Sequence, residues 1–116
     1  MIHKPLIAAS LRPFILSVIA EGQTYGYEII HRVQHLTAGE ILYTASTLYP
    51  VLHQLENDGL LESSWREVEK APNRKYYRLT AKGAKSLEAE KRQWLHVHRA
   101  LMQLWSPAPG LSLSGR

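Results

Sequence analysis

The last third of the chain constrains its fold more than any other stretch. From Thr80 to about Trp105 the sequence reads as one long helix with a stripe at Ala84, Leu87, Lys91, Trp94, His98, Leu101 and Trp105. Steps of three and four alternate along it, which is the spacing of a heptad-like seam. Leu95 and Met102 widen the stripe. One small domain in a chain of 116 residues cannot bury such a seam,. A second copy of the chain is the simplest partner, so a homodimer is expected, with Leu87, Trp94, Leu95, Leu101, Met102 and Trp105 in the interface. Lys91 and His98 do not suit a dry seam. Either they snorkel to water or the seam opens into a cavity.

The preceding residues read as three helices and a hairpin. Leu6 to Ala20 carries Leu11, Phe14, Ile15, Val18 and Ile19 at helical spacing, with Pro13 predicting a kink or a late start,. Gly22 suits a C-terminal cap. Thr24 suits the N-cap of a second helix, Tyr25 to Leu36, whose inner side is Tyr25, Ile29, Ile30, Val33 and Leu36,. Glu40 to Tyr43 fits a short strand. A third helix, Thr44 to Asp58, buries Leu48, Val51, Leu52 and Leu55, and Pro50 fits best if it starts near Ser46 or Thr47,. Gly59 closes it. Leu60 to Val68 and Arg74 to Thr80 are β-prone and joined by residues 69–73, a hairpin,. The predicted fold is therefore mainly α with a β-hairpin wing. It divides into a winged helix-turn-helix over residues 1–80, a dimerisation helix over 81–105, and a Ser-, Pro- and Gly-rich tail over 106–116 expected to be disordered,.

Charge alone does not name a partner. The net charge is +4, which favours an anionic partner,. Residues 1–80 hold 8 basic and 8 acidic side chains, whereas residues 81–116 hold 6 and 2, so no uniform basic face exists. There is no cysteine, hence no disulfide and no thiolate. That is compatible with a reducing cytosol, and a cytoplasmic location is expected. The N-terminal apolar stretch is interrupted by Ser10, Arg12 and Pro13 and is too short to span a membrane,. No nucleophile, base and orienting acid converge on a motif, and there is no Gly-rich phosphate loop, so an enzyme is not expected, nor a cofactor. His31 and His35 are four apart on a helix, a metal-binding spacing without an evident third ligand,. His96 and His98 point in different directions.

Three motifs carry a resemblance. Tyr25-Gly26-Tyr27-Glu28-Ile29, then Thr47-Leu48-Tyr49-Pro50 with Leu55-Glu56-Asn57-Asp58-Gly59-Leu60-Leu61, then Arg74-Lys75-Tyr76-Tyr77-Arg78-Leu79-Thr80, resemble the PadR family of transcriptional regulators in order and spacing. The single C-terminal helix is similar to the compact branch of that family. The resemblance implies a winged helix-turn-helix dimer on double-stranded DNA, usually repressing a neighbouring gene until a small molecule releases it. In that branch some members hold flat aromatic compounds between the last helices against an inward tryptophan. That implies an effector site at Trp94, bordered by Lys91 and His98, which would themselves favour an anionic guest. The plainer reading makes Trp94 an interface residue that touches no ligand.

Removing the buried leucines from the third helix leaves Ser46, Thr47, Tyr49, His53 and Gln54 to face DNA, with Thr44 either a contact or simply the cap,. Relatives commonly carry Lys or Arg in this helix, yet residues 44–58 contain none. Phosphate neutralisation must then come from Arg74 and Lys75 in the wing, with Lys4 or Arg12 as further candidates. Of Tyr76 and Tyr77, strand alternation lets at most one face DNA. The rival reading is a protein-interaction module that uses the same scaffold without DNA; the missing basic residues in the third helix favour it, and the three motifs oppose it.

Overall fold

The computed structural model describes residues 1–69 and 71–106. The expected disordered tail, apart from Ser106, lies outside these residues. Helix α1 spans Lys4–Glu21, strand β1 Thr24–Tyr25, helix α2 Gly26–Leu36 and helix α3 Ala45–Asn57. Strands β2 (Leu61–Val68) and β3 (Ala71–Leu79) and helix α4 (Ala81–Trp105) complete the order. The three strands form one antiparallel sheet in the order β1-β3-β2.

Local chemistry sets most of the boundaries. Pro5 sits in the first turn of α1, where an amide would have no helical acceptor,. The expected late start at Pro13 does not occur: the helix is continuous from Lys4 to Glu21 through that residue. Pro13 leaves one carbonyl without its helical donor, and the burial of Leu11, Ile15, Leu16, Val18 and Ile19 around it offsets the loss,. Likewise α3 begins at Ala45, earlier than Pro50 alone suggests, because Thr44 caps it by accepting a hydrogen bond from the Thr47 amide at 3.2 Å,. At its other end Gly59 has φ +79°. The Leu60 amide reaches back to the Leu55 carbonyl and the Gly59 amide to Glu56, the double bond that closes a helix on a left-handed residue,. Thr80 caps α4 through the Gly83 amide at 3.0 Å.

Several expectations need correction. Thr24 does not cap α2. It pairs with Tyr77 in the sheet, its hydroxyl donates to the Glu28 carboxylate, and the N-cap position falls to Tyr25. Residues 40–43 form no strand. They join no sheet; the Glu40 amide donates to the Thr37 carbonyl and the Ile41 amide to the Thr37 hydroxyl, and the alternation that suggested a strand arises because Ile41 and Tyr43 enter the core while Leu42 faces out. Leu36, expected inside, is exposed. The hairpin is tighter than predicted, with Val68 paired to Ala71.

The core joins all the helices to the sheet. Ile15, Leu16, Ile29, Val33, Leu48, Leu52, Leu55, Leu61 and Tyr77 are its sealed centre. Leu87, expected in the dimer seam, belongs to this core and is only 3% exposed, because the first turns of α4 pack on the chain's own domain. Gly83 explains how closely: a Cβ there would run into the Leu60 carbonyl oxygen. Arg12, a candidate phosphate ligand, is also committed internally. Its guanidinium donates to Glu90 at 2.9 Å and to Ser86, tying α1 to α4. Beyond Glu90 every described side chain of α4 is exposed, including Trp94, Leu95, Leu101, Met102 and Trp105.

Candidate nucleic-acid interface

The N-terminal turn of α2, the outer face of α3 and the hairpin enclose an open cleft of about 630 Å³. Tyr49 and His53 enter it from α3, Tyr27 and His31 from α2, and Arg74 and Lys75 from β3. The fold thus brings four of the seven residues singled out as DNA contacts into one concave surface. The other three cluster at the start of α3. The Thr44 hydroxyl lies 3.1 Å from that of Ser46 and donates to that of Thr47 at 3.0 Å. All three are exposed, so Thr44 is both cap and surface group. His53 and Gln54 are exposed as expected.

Tyr49 differs from expectation. It is half-buried, leaning its ring over the start of α2. A Cβ on Gly26 would lie 2.5 Å from its hydroxyl, so Gly26 is the residue that makes room for the ring. Lys75 also differs: its ammonium lies 3.4 Å from the Glu56 carboxylate of α3. Glu56 accepts a further bond from Ser63. That hydroxyl first, and then Lys75, hold the Glu56 carboxyl below its ordinary value against the opposing effect of burial.

The tyrosines of β3 alternate as strand geometry demands. Tyr77 points inward and is sealed, its hydroxyl without a partner among the described residues, and burial pushes its pKa above the usual tyrosine value. Tyr76 meets Tyr25 edge to face, with ring centroids 5.2 Å apart. The Arg66 guanidinium covers Tyr76 and that of Arg74 covers Tyr25, each 4.4 Å from the ring centroid. These stacked pairs hold two cations along the wing. Sequence reasoning missed Arg66, Tyr25 and Trp65. Tyr25 looked like part of a buried helix face, and Arg66 and Trp65 gained their meaning only from the register that sets them beside Arg74 and Lys75.

The histidine pair and the α4 candidates make no further site of this kind. His31 stacks on Tyr27 with centroids 5.9 Å apart. Among the described residues no group of three or more His, Cys, Asp or Glu side chains converges on a metal-sized site. Trp94 lines a groove of about 290 Å³ against Ser10, Pro13, Phe14 and Ser17 of α1. Lys91 and His98 do not line that groove. Lys91 instead pairs with Glu88 at 2.9 Å. Among the described residues no helix is long and apolar enough to cross a membrane.

Comparison with known proteins agrees with this geometry. The model of the PadR-like family of transcriptional regulators matches residues 15–89. A transcriptional regulator of Mycobacterium tuberculosis is 36% identical over 94 residues, which is 81% of this chain and 84% of that protein. The solved structure of a transcriptional regulator from Clostridium thermocellum superposes with a TM-score of 0.79 at 29% identity, covering 89% of this chain and 97% of that one. A PadR family transcriptional regulator from Eggerthella lenta gives a TM-score of 0.72 at 32% identity, covering 90% and 88%.

Proposed function

The chain belongs to the PadR-like family of transcriptional regulators, and from that premise we propose that it represses transcription by binding an operator as a homodimer and leaves it when a small molecule binds. The observation that carries the DNA part of this reading is the cleft between α2, α3 and the hairpin. Its α3 wall offers the Tyr49 hydroxyl and the His53 imidazole to a major groove, the exposed hydroxyls of Ser46 and Thr47 stand at the start of the same helix, and its hairpin wall offers Arg74 and Lys75 to the flanking phosphates,. With no Lys or Arg in residues 44–58, the wing supplies most of the phosphate attraction,.

The homodimer rests on the exposed apolar surface of α4 beyond Glu90, where Trp94, Leu95, Leu101, Met102 and Trp105 face out together,. Two such helices packed against each other bring their DNA-reading surfaces into a fixed spacing, as a two-fold operator requires. The effector would enter at this interface. Trp94 offers an indole face for a planar aromatic guest, stacking worth roughly 0.5–1.5 kcal/mol per contact. Lys91 and His98 would border the guest only if the partner helix brings the seam together.

The test is an electrophoretic shift of duplexes taken from upstream of the chain's own and neighbouring genes. The reading expects a discrete complex that survives competitor DNA, and a weaker one with Tyr49→Ala. Retention of no duplex over random competitor would instead favour an interaction module on the same scaffold.

A further inference from the structure

The hairpin carries one large side chain that the protein's own packing does not use. Trp65 of β2 is 67% exposed. An indole left in water forgoes the favourable burial that an aromatic side chain gains in a contact. Its direction is fixed by the register. Trp65 pairs with Lys75, and the next pair on the same face is Ser63 with Tyr77. Ser63 and Lys75 both bind Glu56 of α3, and Tyr77 is sealed in the core, so this face of the hairpin looks toward α3. Trp65 lies one step farther out, past the cover that α3 provides, and hangs over the cleft opposite Tyr49 and His53.

Its neighbours identify what it meets. Arg74 and Lys75 line the same cleft, whereas Arg66, next on the strand, turns to the other face of the hairpin over Tyr76,. Of the acidic groups nearby, Glu56 is bound to Ser63 and Lys75, and Glu62 to Arg78; Glu67 and Glu69 sit toward the turn. An apolar wedge beside Arg74 and Lys75, in the cleft that Tyr49 and His53 enter, suits a surface that is anionic at its rim and apolar between. A DNA minor groove beside the major groove entered by α3 has that character: phosphates border stacked sugars and base edges. We propose that Trp65 is the apolar DNA contact of the wing, packing against sugars and base edges in the minor groove flanking the α3 site. This rests on the regulator reading above and adds to it a contact that is not electrostatic.

The experiment takes its probe from a pool of randomised duplexes selected by the wild-type protein, labelled for fluorescence anisotropy. Trp65→Ala should bind about tenfold more weakly with an unchanged salt slope, since no counterion release is lost. Trp65→Phe should recover most of the affinity. The difference in emission between wild type and Trp65→Phe isolates Trp65 from Trp94 and Trp105. The Trp65 fluorescence should then be quenched by the duplex, a readout that a structural role would not move. Wild-type affinity in Trp65→Ala, or a Trp65 emission unchanged by saturating duplex, overturns the proposal while leaving the regulator reading intact. A wild-type protein that selects no duplex overturns both.

Discussion

Glu56 shows how much one side chain decides at the cleft. It pairs with Lys75, so Lys75 must exchange this carboxylate for a phosphate when DNA binds. Glu56→Gln should release it, and binding to any duplex should strengthen a few-fold, with a steeper salt dependence measured by anisotropy. Lys75→Ala should do the reverse, weakening all sequences alike and lowering the salt slope by about one. Glu56 also links folding to pH. Its folded pKa is depressed, so its stabilisation is present above the ordinary carboxylate value of 4.5 and fades as pH falls through the folded value,. Because the pair is partly exposed, the effect stays under about 1 kcal/mol, and Glu56→Gln should remove it from the acid limb of a denaturation series. Gly83 acts on stability alone. A methyl group there strikes backbone, which cannot swing aside, so Gly83→Ala should lose roughly 3 kcal/mol in urea unfolding,. An unchanged midpoint would mean that α4 sits farther from Leu60.

At the scale of elements, the sequence announced what local chemistry controls. Thr44, Gly59 and Thr80 marked helix ends because caps and left-handed turns depend on the residue itself. The alternation of Tyr76 and Tyr77 was legible for the same reason. Tertiary packing overrode local rules elsewhere. A buried α1 carries Pro13 without breaking, and residues 40–43 alternate in burial without a strand partner. Of the candidate site, the residues were legible but their partners were not. Lys75 with Glu56, and Arg12 with Glu90, join positions far apart in the chain, and no spacing rule reports them. Helix α4 likewise read as one seam, yet it divides at Glu90 into a half that packs on its own domain and an exposed half. Removing residues 91–116 should therefore leave a folded monomer with Leu87 and the Arg12–Glu90 pair in place. Sedimentation as a dimer would put the interface elsewhere. In the full chain, planar aromatic dyes should quench wild type more than Trp94→Phe; equal quenching would remove Trp94 from the effector site.

At the scale of the whole molecule, the proposed function makes DNA binding a property of two copies. One chain offers a single α3 with no Lys or Arg and a wing with few cations, too little for tight binding alone,. In the proposed dimer, two chains joined through α4 would double those contacts and fix the spacing between half-sites, so dimerisation would supply affinity and operator geometry together. The most direct measurement is analytical ultracentrifugation of the full chain with a labelled duplex selected from its own upstream region, followed at the absorbance of the label. One complex containing two protein copies per duplex is expected, absent when residues 91–116 are removed. A complex of one copy per duplex, or undiminished binding by the truncated chain, would contradict it.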